Sequence, residues 1–215
     1  MNKVLAVTGT RREASVLRHA GVTAVAIGGS GEALDQALAA QVGALAAIVS
    51  FGMGGALDPD LRLGDWVIGT GVCGGADSQC DADWSAALLR QLPQARSGLC
   101  YANGRLIGDS VEKQRLFCEY GALTADMESH LVGNAAARLG IPFAILRCIS
   151  DVAGADLPRA IAVAMHPDGR LALGSIITSI LSNPAQLPEL MRSTARFNRA
   201  FASLEAGARL AFNQN

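Results

Sequence analysis

Three acidic side chains occupy positions at which a carboxyl group could do chemistry. Asp151 follows the apolar run of residues 144–149, Glu128 follows Asp126-Met127, and Glu13 opens a helical stretch behind the first apolar run. A carboxyl group at the mouth of an α/β site is partly desolvated, so its pKa should rise and it could act as a general acid. Plainer explanations exist: Asp151 could be a helix N-cap, and the two glutamates could complement helix dipoles.

Two glycine-rich segments could bind a phosphate or a ribose oxygen through backbone N–H groups. Residues 28–31 and residues 51–56 both lack the full Gly-x-Gly-x-x-Gly spacing, and the chain has no Gly-Lys-Ser/Thr sequence. Both segments are therefore weak signals for a dinucleotide-binding site. His130 is expected to be a packed or capping histidine, and no residues have metal-ligand spacing, so neither a metal nor an organic cofactor is expected.

The composition and net charge of the chain indicate its fold class and make some classes of function improbable. The chain has 215 residues, of which 50% are hydrophobic and 17% charged, with a net charge of −1. This composition predicts one folded domain over residues 1–215 and is typical of an α/β enzyme. The only basic pair is Arg11-Arg12, so a nucleic-acid partner is not expected. Five cysteines without a Cys-x-x-Cys pair indicate structural thiols in a reducing cytoplasm.

Short apolar runs alternate with alanine-rich helical stretches, which predicts a mixed sheet covered by helices on both faces. The predicted strands are residues 4–7, 22–27, 46–50, 66–69, 105–107 and 144–149, and the predicted helices are residues 13–20, 31–41, 83–92 and 127–139. Ligands of such sheets bind beyond the carboxyl ends of the strands. The site is therefore expected in the segments after Val7, Ile27, Ser50, Ile107 and Ile149, and the glycines at 52, 54 and 55 are expected to form a tight loop.

Two long stretches raise the question of membrane contact. Residues 36–57 are uncharged and long enough to span a bilayer, but their glycines and polar side chains favour a helix end, a buried strand and a loop in a soluble interior. Residues 189–212 predict one amphipathic helix. It could cap the domain, pack on a partner subunit or lie on a membrane surface, and packing is the interpretation we favour.

Taken in order, these segments resemble the purine and uridine phosphorylase superfamily, in particular the branch containing 5′-methylthioadenosine/S-adenosylhomocysteine nucleosidases. The resemblance covers roughly residues 3–155. Its most specific motif is Arg147-Cys148-Ile149-Ser150-Asp151, which is close to the family's Arg-x-Ile-Ser-Asp. Upstream, Asp126-Met127-Glu128 stands where the family has acidic-Met-Glu, and residues 4–14, 52–57 and 63–67 are similar to the opening strand, the glycine segment and the Gly-Asp strand.

The resemblance implies a nucleoside phosphorylase-like fold and three catalytic carboxyl groups. Asp151 would protonate N7 of an adenine-like leaving group, Glu128 would hold the ribose hydroxyls, and Glu13 would take a proton from the attacking water. Arg147 could tune the position of Asp151 or be a structural ion-pair residue. The substrate-binding positions implied are Met127, Gly54, Gly55, Ser150, Val111 and Arg147.

Two departures from the family pattern leave alternatives open. Relatives carry a base-stacking aromatic residue where this chain has Ser110-Val111-Glu112, so the base must be packed by other residues. Phosphorolytic relatives often place an arginine just before the glycine segment, where this chain has residues 48–51 without one. Hydrolysis is therefore favoured over phosphorolysis, although Arg11 and Arg12 could bind inorganic phosphate.

The C-terminal third resembles a narrower group at residues 165–169 and 183–188. These are the hopanoid-associated phosphorylases, thought to release adenine from adenosylhopane. The resemblance therefore implies an adenosine substrate with a bulky apolar 5′ group, a homo-oligomer, and transient contact with a membrane. A nucleoside-binding protein without catalysis is the alternative from another class, and three retained carboxyl groups argue against it.

Overall fold

The computed structural model describes residues 3–41, 45–75, 77–157 and 187–212. Strands and helices alternate through most of this range. The elements are β1 (Lys3–Thr8), α1 (Arg11–His19), β2 (Thr23–Ala26), α2 (Gly31–Ala39), β3 (Leu45–Ala56), β4 (Trp66–Cys73), β5 (Ser78–Gln79), α3 (Ala82–Gln91), β6 (Arg96–Ala102), α4 (Ser110–Tyr120), β7 (Thr124–Asp126), α5 (Ser129–Leu139), β8 (Phe143–Asp151) and α6 (Leu187–Phe212).

The strands form one mixed sheet that closes on itself. β1 lies between β2 and β3 and is parallel to both. β3 pairs in parallel with β8, and its last two residues, Gly55 and Ala56, pair antiparallel with β7. On its other edge β8 pairs antiparallel with β4. β4 pairs in parallel with β6, and β6 pairs in parallel with β7. The strands β3, β8, β4, β6 and β7 thus form a ring, and β1 and β2 extend from it.

The glycines of residues 52–55 lie within β3, so the prediction of a tight loop there was wrong. Glycine is tolerated inside a strand where another part of the chain comes close to the backbone. A Cβ atom added to Gly54 would lie only 2.6 Å from Oγ1 of Thr124 in β7. The close approach of β7 therefore explains why position 54 carries no side chain.

The predicted helices are all present, but the strand predicted at residues 105–107 was wrong. These residues form a loop in which the Arg105 N–H donates to Oδ1 of Asn103 at 3.1 Å. The strands β5, β6 and β7 and the helix α4 were not predicted from the sequence. The motif at residues 165–169 and most of the one at 183–188 lie outside the described residues.

Helices cover both faces of the sheet, and α6 covers the face that also holds α1 and α3. Its buried side chains are Ala200, Phe201, Leu204, Ala208 and Ala211. At its C-terminal end, the Phe212 ring lies 5.9 Å from the ring of Phe51 in β3. This is the packing role favoured for the helix. Among the described residues, no helix is long and apolar enough to cross a membrane.

The contact between α6 and β4 gives a prediction about stability. A Cβ atom on Gly207 would lie 2.3 Å from Cζ2 of Trp66, a ring that is itself buried. We expect Gly207→Ala to destabilise the protein by about 1–3 kcal/mol, because the helix or the ring must shift. Thermal or urea unfolding measures this change.

The matched control is Gly31→Ala in α2, where the nearest atom to an added Cβ is 3.8 Å away. Alanine favours a helix over glycine by up to about 1 kcal/mol, so this variant should be neutral or more stable. Equal stability of the two variants would contradict the packing described for α6.

Candidate active site

The three carboxyl groups singled out in the sequence each lie against the backbone of a glycine. The distances from an added Cβ to the nearest carboxylate oxygen are 2.6 Å for Gly52 and Glu13, 2.8 Å for Gly9 and Glu128, and 3.0 Å for Gly55 and Asp151. Gly9 directly follows β1, and the other two glycines lie on β3, which pairs with β1. A larger residue at any of these positions would displace a carboxyl group, so the glycines leave the space that the acids occupy.

Glu13 is held by two separate parts of the chain. Its Oε2 accepts hydrogen bonds of 2.8 Å from both the backbone N–H and the Oγ1 of Thr10, the N-cap of α1. Its Oε1 accepts a hydrogen bond of 2.8 Å from the Met53 N–H in β3. Glu13 therefore does more than complement the dipole of α1, since it joins the start of that helix to the glycine segment.

A buried ion pair between Arg147 and Asp126 lies behind the carboxyl groups. The Arg147 Nε is 3.0 Å from Asp126 Oδ2, and both side chains are only 1% exposed. The guanidinium also donates to the hydroxyls of Ser50 and Ser129. Burial alone would raise the pKa of Asp126, but Arg147 and the hydrogen bonds from Ser129 outweigh it and hold that pKa below its usual value. Of the two roles considered for Arg147, its contacts are those of a structural ion-pair residue.

Asp126 also fixes the segment that carries Glu128. Its Oδ1 accepts hydrogen bonds from the backbone N–H groups of Glu128 at 2.8 Å and of Ser129 at 2.7 Å. The Glu128 side chain makes no capping hydrogen bond to α5, so its carboxyl group is left for other contacts. Met127, the implied substrate-binding residue, lies between these two acids in the turn from β7 to α5.

The Glu128 carboxyl group is strongly perturbed. Burial, then the charge of Asp126 and a smaller effect of Glu13, raise its pKa to about 8, and Arg147 only partly offsets them. The physical reason is that burial disfavours the charged form of this carboxyl group and the charge of Asp126 adds to that, so Glu128 keeps its proton near neutral pH. A perturbed carboxyl group of this kind is typical of functional sites.

Asp151 ends β8 and is paired with a residue that the sequence analysis missed. Lys113 Nζ lies 2.5 Å from Asp151 Oδ2, and the lysine side chain is 0% exposed. On the other side, Ser150 Oγ donates to Asp151 Oδ1 at 2.8 Å. No helix begins in residues 152–157, so the N-cap alternative for Asp151 finds no support.

Lys113 was missed because α4 was not predicted. The sequence did contain a signal for this helix, because an acidic N-cap followed three residues later by glutamate marks a helix start. Asp109 is the N-cap of α4, and it accepts a hydrogen bond of 2.8 Å from the Glu112 N–H. Val111, proposed for substrate binding, is 72% exposed on the same helix. The structure thus brings Lys113, and not Val111, to the carboxyl groups.

The other predicted site residues are divided between the site and the surface. Ser150 Oγ, whose hydrogen is donated to Asp151, lies 3.3 Å from the Gly54 carbonyl oxygen. Arg11 and Arg12 are exposed at the start of α1. The Arg12 guanidinium lies 3.8 Å from the centre of the Phe201 ring in α6, so its charge is engaged in a cation–π contact.

The cysteines and His130 have no catalytic geometry. All five thiols are free, and burial raises the pKa of Cys73 to about 11 and the pKa values of Cys80 and Cys148 to about 12. His130 Nδ1 is buried without a hydrogen-bond partner among the described residues, and burial lowers the pKa of this side chain. Within the part of the chain that the structure describes, no group of three His, Cys, Asp or Glu side chains could hold a metal ion.

The raised pKa of Glu128 predicts a pH dependence of stability. The folded protein keeps this proton up to about pH 8, whereas the unfolded chain loses it near 4.5. The stability that this difference in pKa contributes is therefore complete below pH 4.5 and falls progressively between pH 4.5 and pH 8, where only the unfolded chain is ionised. We expect the free energy of unfolding of the wild type to fall, relative to Glu128→Gln, by on the order of 3–5 kcal/mol between pH 5 and pH 9.

Urea unfolding across this pH range measures the difference. Glu205→Gln, which changes an exposed glutamate on α6, is the matched control and should track the wild type at every pH. A constant difference between wild type and Glu128→Gln at all pH values would show that Glu128 is ionised throughout.

Comparison with known proteins identifies the family. The model of the phosphorylase superfamily matches residues 3–182. A 5′-methylthioadenosine/S-adenosylhomocysteine nucleosidase from Marinomonas sp. (strain MWYL1) is 28% identical over 137 residues, which are 53% of this chain and 59% of that protein. The matched stretch therefore spans less than two thirds of that relative's length.

Solved structures share the fold across more of the chain. The Helicobacter pylori 5′-methylthioadenosine/S-adenosylhomocysteine nucleosidase with butyl-thio-DADMe-Immucillin-A has a TM-score of 0.66 at 14% identity, covering 98% of this chain and 94% of that one. The futalosine hydrolase of the same species has a TM-score of 0.61 at 14% identity, covering 70% and 88%. The predicted nucleoside phosphorylase-like α/β fold is confirmed, and since the family model covers most of its length, the chain belongs to the phosphorylase superfamily.

Proposed function

We propose that this chain hydrolyses the N-ribosidic bond of a purine nucleoside. The observation that carries the proposal is the group of three carboxyl groups, each seated against a glycine that lies in β3 or directly after β1. Glu128, whose pKa burial raises to about 8, is a perturbed carboxyl group of the kind that clusters at functional sites. The nucleosidase names of the relatives support the same reaction type.

The proposed roles follow from chemistry. Asp151 gives a proton to a ring nitrogen of the base while the C–N bond breaks and its electron pair moves to the base. The ribose then gains oxocarbenium character, and Glu128 orients it through hydrogen bonds with the sugar hydroxyls. Glu13 takes a proton from the water whose oxygen bonds to the anomeric carbon. The products are the free base and the free sugar.

The proposed substrate is an adenosine with an apolar 5′ substituent. The relatives named for 5′-methylthioadenosine support this class, and by the family resemblance an Asp at position 151, in place of Asn, favours a 6-aminopurine. The proposal includes a single catalytic domain over residues 1–215 and a homo-oligomer in the cytoplasm. A hopanoid precursor with transient membrane contact is the most specific form of it, based on the resemblance at residues 165–169 and 183–188.

Phosphorolysis, which would yield a ribose 1-phosphate, is the second candidate. The observation in its favour is the exposed pair Arg11 and Arg12 beside Glu13 at the start of α1. Hydrolysis is preferred because Arg12 is engaged with Phe201, and because Glu13 stands where the family activates water.

The test uses purified protein and 5′-methylthioadenosine, with and without inorganic phosphate, and quantifies adenine and the sugar product. We expect adenine release without phosphate. Asp151→Asn and Glu13→Gln should each lower kcat by about 10²–10⁴-fold, because each removes a proton-transfer group. Asp83→Asn, on the exposed first turn of α3, is the control and should retain full activity.

An absolute requirement for phosphate would replace hydrolysis by phosphorolysis. Full activity of both Asp151→Asn and Glu13→Gln would refute the catalytic roles. Binding of 5′-methylthioadenosine without release of adenine, also when longer 5′-alkyl analogues are supplied, would instead indicate a binding protein.

A further inference from the structure

Lys113 is a fully buried cation for which the proposed reaction has assigned no task. Its Nζ lies 2.5 Å from Asp151 Oδ2, 3.2 Å from the Val152 carbonyl oxygen and 3.0 Å from the Ala155 carbonyl oxygen. An ammonium group has three hydrogens to donate, and here all three have an acceptor. Buried lysines are rare unless they are paired, so the pairing with Asp151 explains why the charge is tolerated.

The surrounding contacts make this lysine a rigid support. The segment after Asp151 is joined to the start of α4 twice more: the Ser110 N–H donates to Asp156 Oδ1 at 2.8 Å, and the Leu157 N–H donates to the Gly108 carbonyl at 2.8 Å. The helix that carries Lys113 is thereby fixed to the chain it supports, and a fixed charge stabilises a neighbouring charge without reorganisation.

The two oxygens of Asp151 are held from opposite sides. Lys113 binds Oδ2 and Ser150 Oγ binds Oδ1, while the backbone of Gly55 lies against the carboxyl group. The lysine side chain has no exposed surface, whereas the Asp151 side chain is 15% exposed. A ligand can therefore reach Asp151 but not Lys113, and any effect of the lysine on a substrate must pass through the aspartate.

We propose that Lys113 is the positioning residue of the general acid. It orients the Asp151 carboxyl group toward the base and stabilises the carboxylate that remains once the proton has moved to the leaving base. This inference rests on the proposed function. The proton taken from water by Glu13 balances the one given by Asp151, so the lysine itself gains and loses none.

This role makes a prediction about leaving groups. A purine must be protonated to leave, whereas 4-nitrophenolate leaves readily as an anion and needs no general acid. We expect Lys113→Met to lower kcat for 5′-methylthioadenosine by about 100-fold with little change in KM, because the lost interaction belongs to the transition state. With the 4-nitrophenyl riboside carrying the same 5′-methylthio group, kcat should stay within about threefold of the wild type.

A double-mutant cycle separates this role from a purely structural one. If Lys113 acts only through Asp151, then Lys113→Met combined with Asp151→Asn should have the same adenine release as Asp151→Asn alone, within about threefold. The double variant leaves no unpaired buried charge, whereas Asp151→Asn alone leaves Lys113 unpaired, so the two are compared per mole of folded protein; the comparison does not require Lys113→Met alone to fold.

The matched control is Arg115→Met, which removes a cation from the same helix without touching Asp151. Arg115 lies on the exposed side of α4 and pairs with Glu119. This variant should leave the release of adenine and of 4-nitrophenol unchanged.

Two results would overturn the inference: an equal fall in kcat for both leaving groups, or a double variant at least about tenfold slower than Asp151→Asn. Failure of the proposed function looks different, because the wild type would then release neither adenine nor 4-nitrophenol.

Discussion

A guanidinium group inside the protein is the constraint on which the arrangement of the site depends. Arg147 lies in the middle of β8 with almost no exposed surface, and a buried charge of this kind is strongly unfavourable unless an opposite charge compensates it. Asp126, at the end of β7, supplies that charge. The ion pair therefore joins two strands that are not neighbours in the ring, and the same aspartate binds the backbone from which Glu128 extends.

The charges at the site are divided into two groups. Glu128 is buried, and Arg147, which pairs with Asp126, only partly offsets the effect of burial on its pKa, so Glu128 retains a proton. Asp151 has a cation of its own, since Lys113 reaches it from α4. Acids with the same side-chain chemistry are thereby given different environments, which is how one site can hold carboxyl groups in different protonation states.

The sequence was informative where the structural signal is local. Buried strands such as β8, and helices with a clear start such as α1, were predicted within a few residues. β6 was missed because it begins with Arg96-Ser97-Gly98, which contains no apolar run. The glycines of β3 have the composition of a loop, and only the carboxyl groups that lie against them explain why they belong to a strand. Lys113 could not be recognised as buried, because lysine is exposed by default and its partner Asp151 is 38 residues away.

The glycines explain why the site belongs to the sheet and not to its loops. A carboxyl group that must sit beside a strand backbone needs a position without a side chain, and β3 provides two such positions while the residue after β1 provides the third. Because β3 pairs with β1, β8 and β7, each of these positions is fixed by strand pairing. The spacing of the three acids therefore follows from the register of the ring, so that a change in strand register would separate them even if every acidic residue were kept.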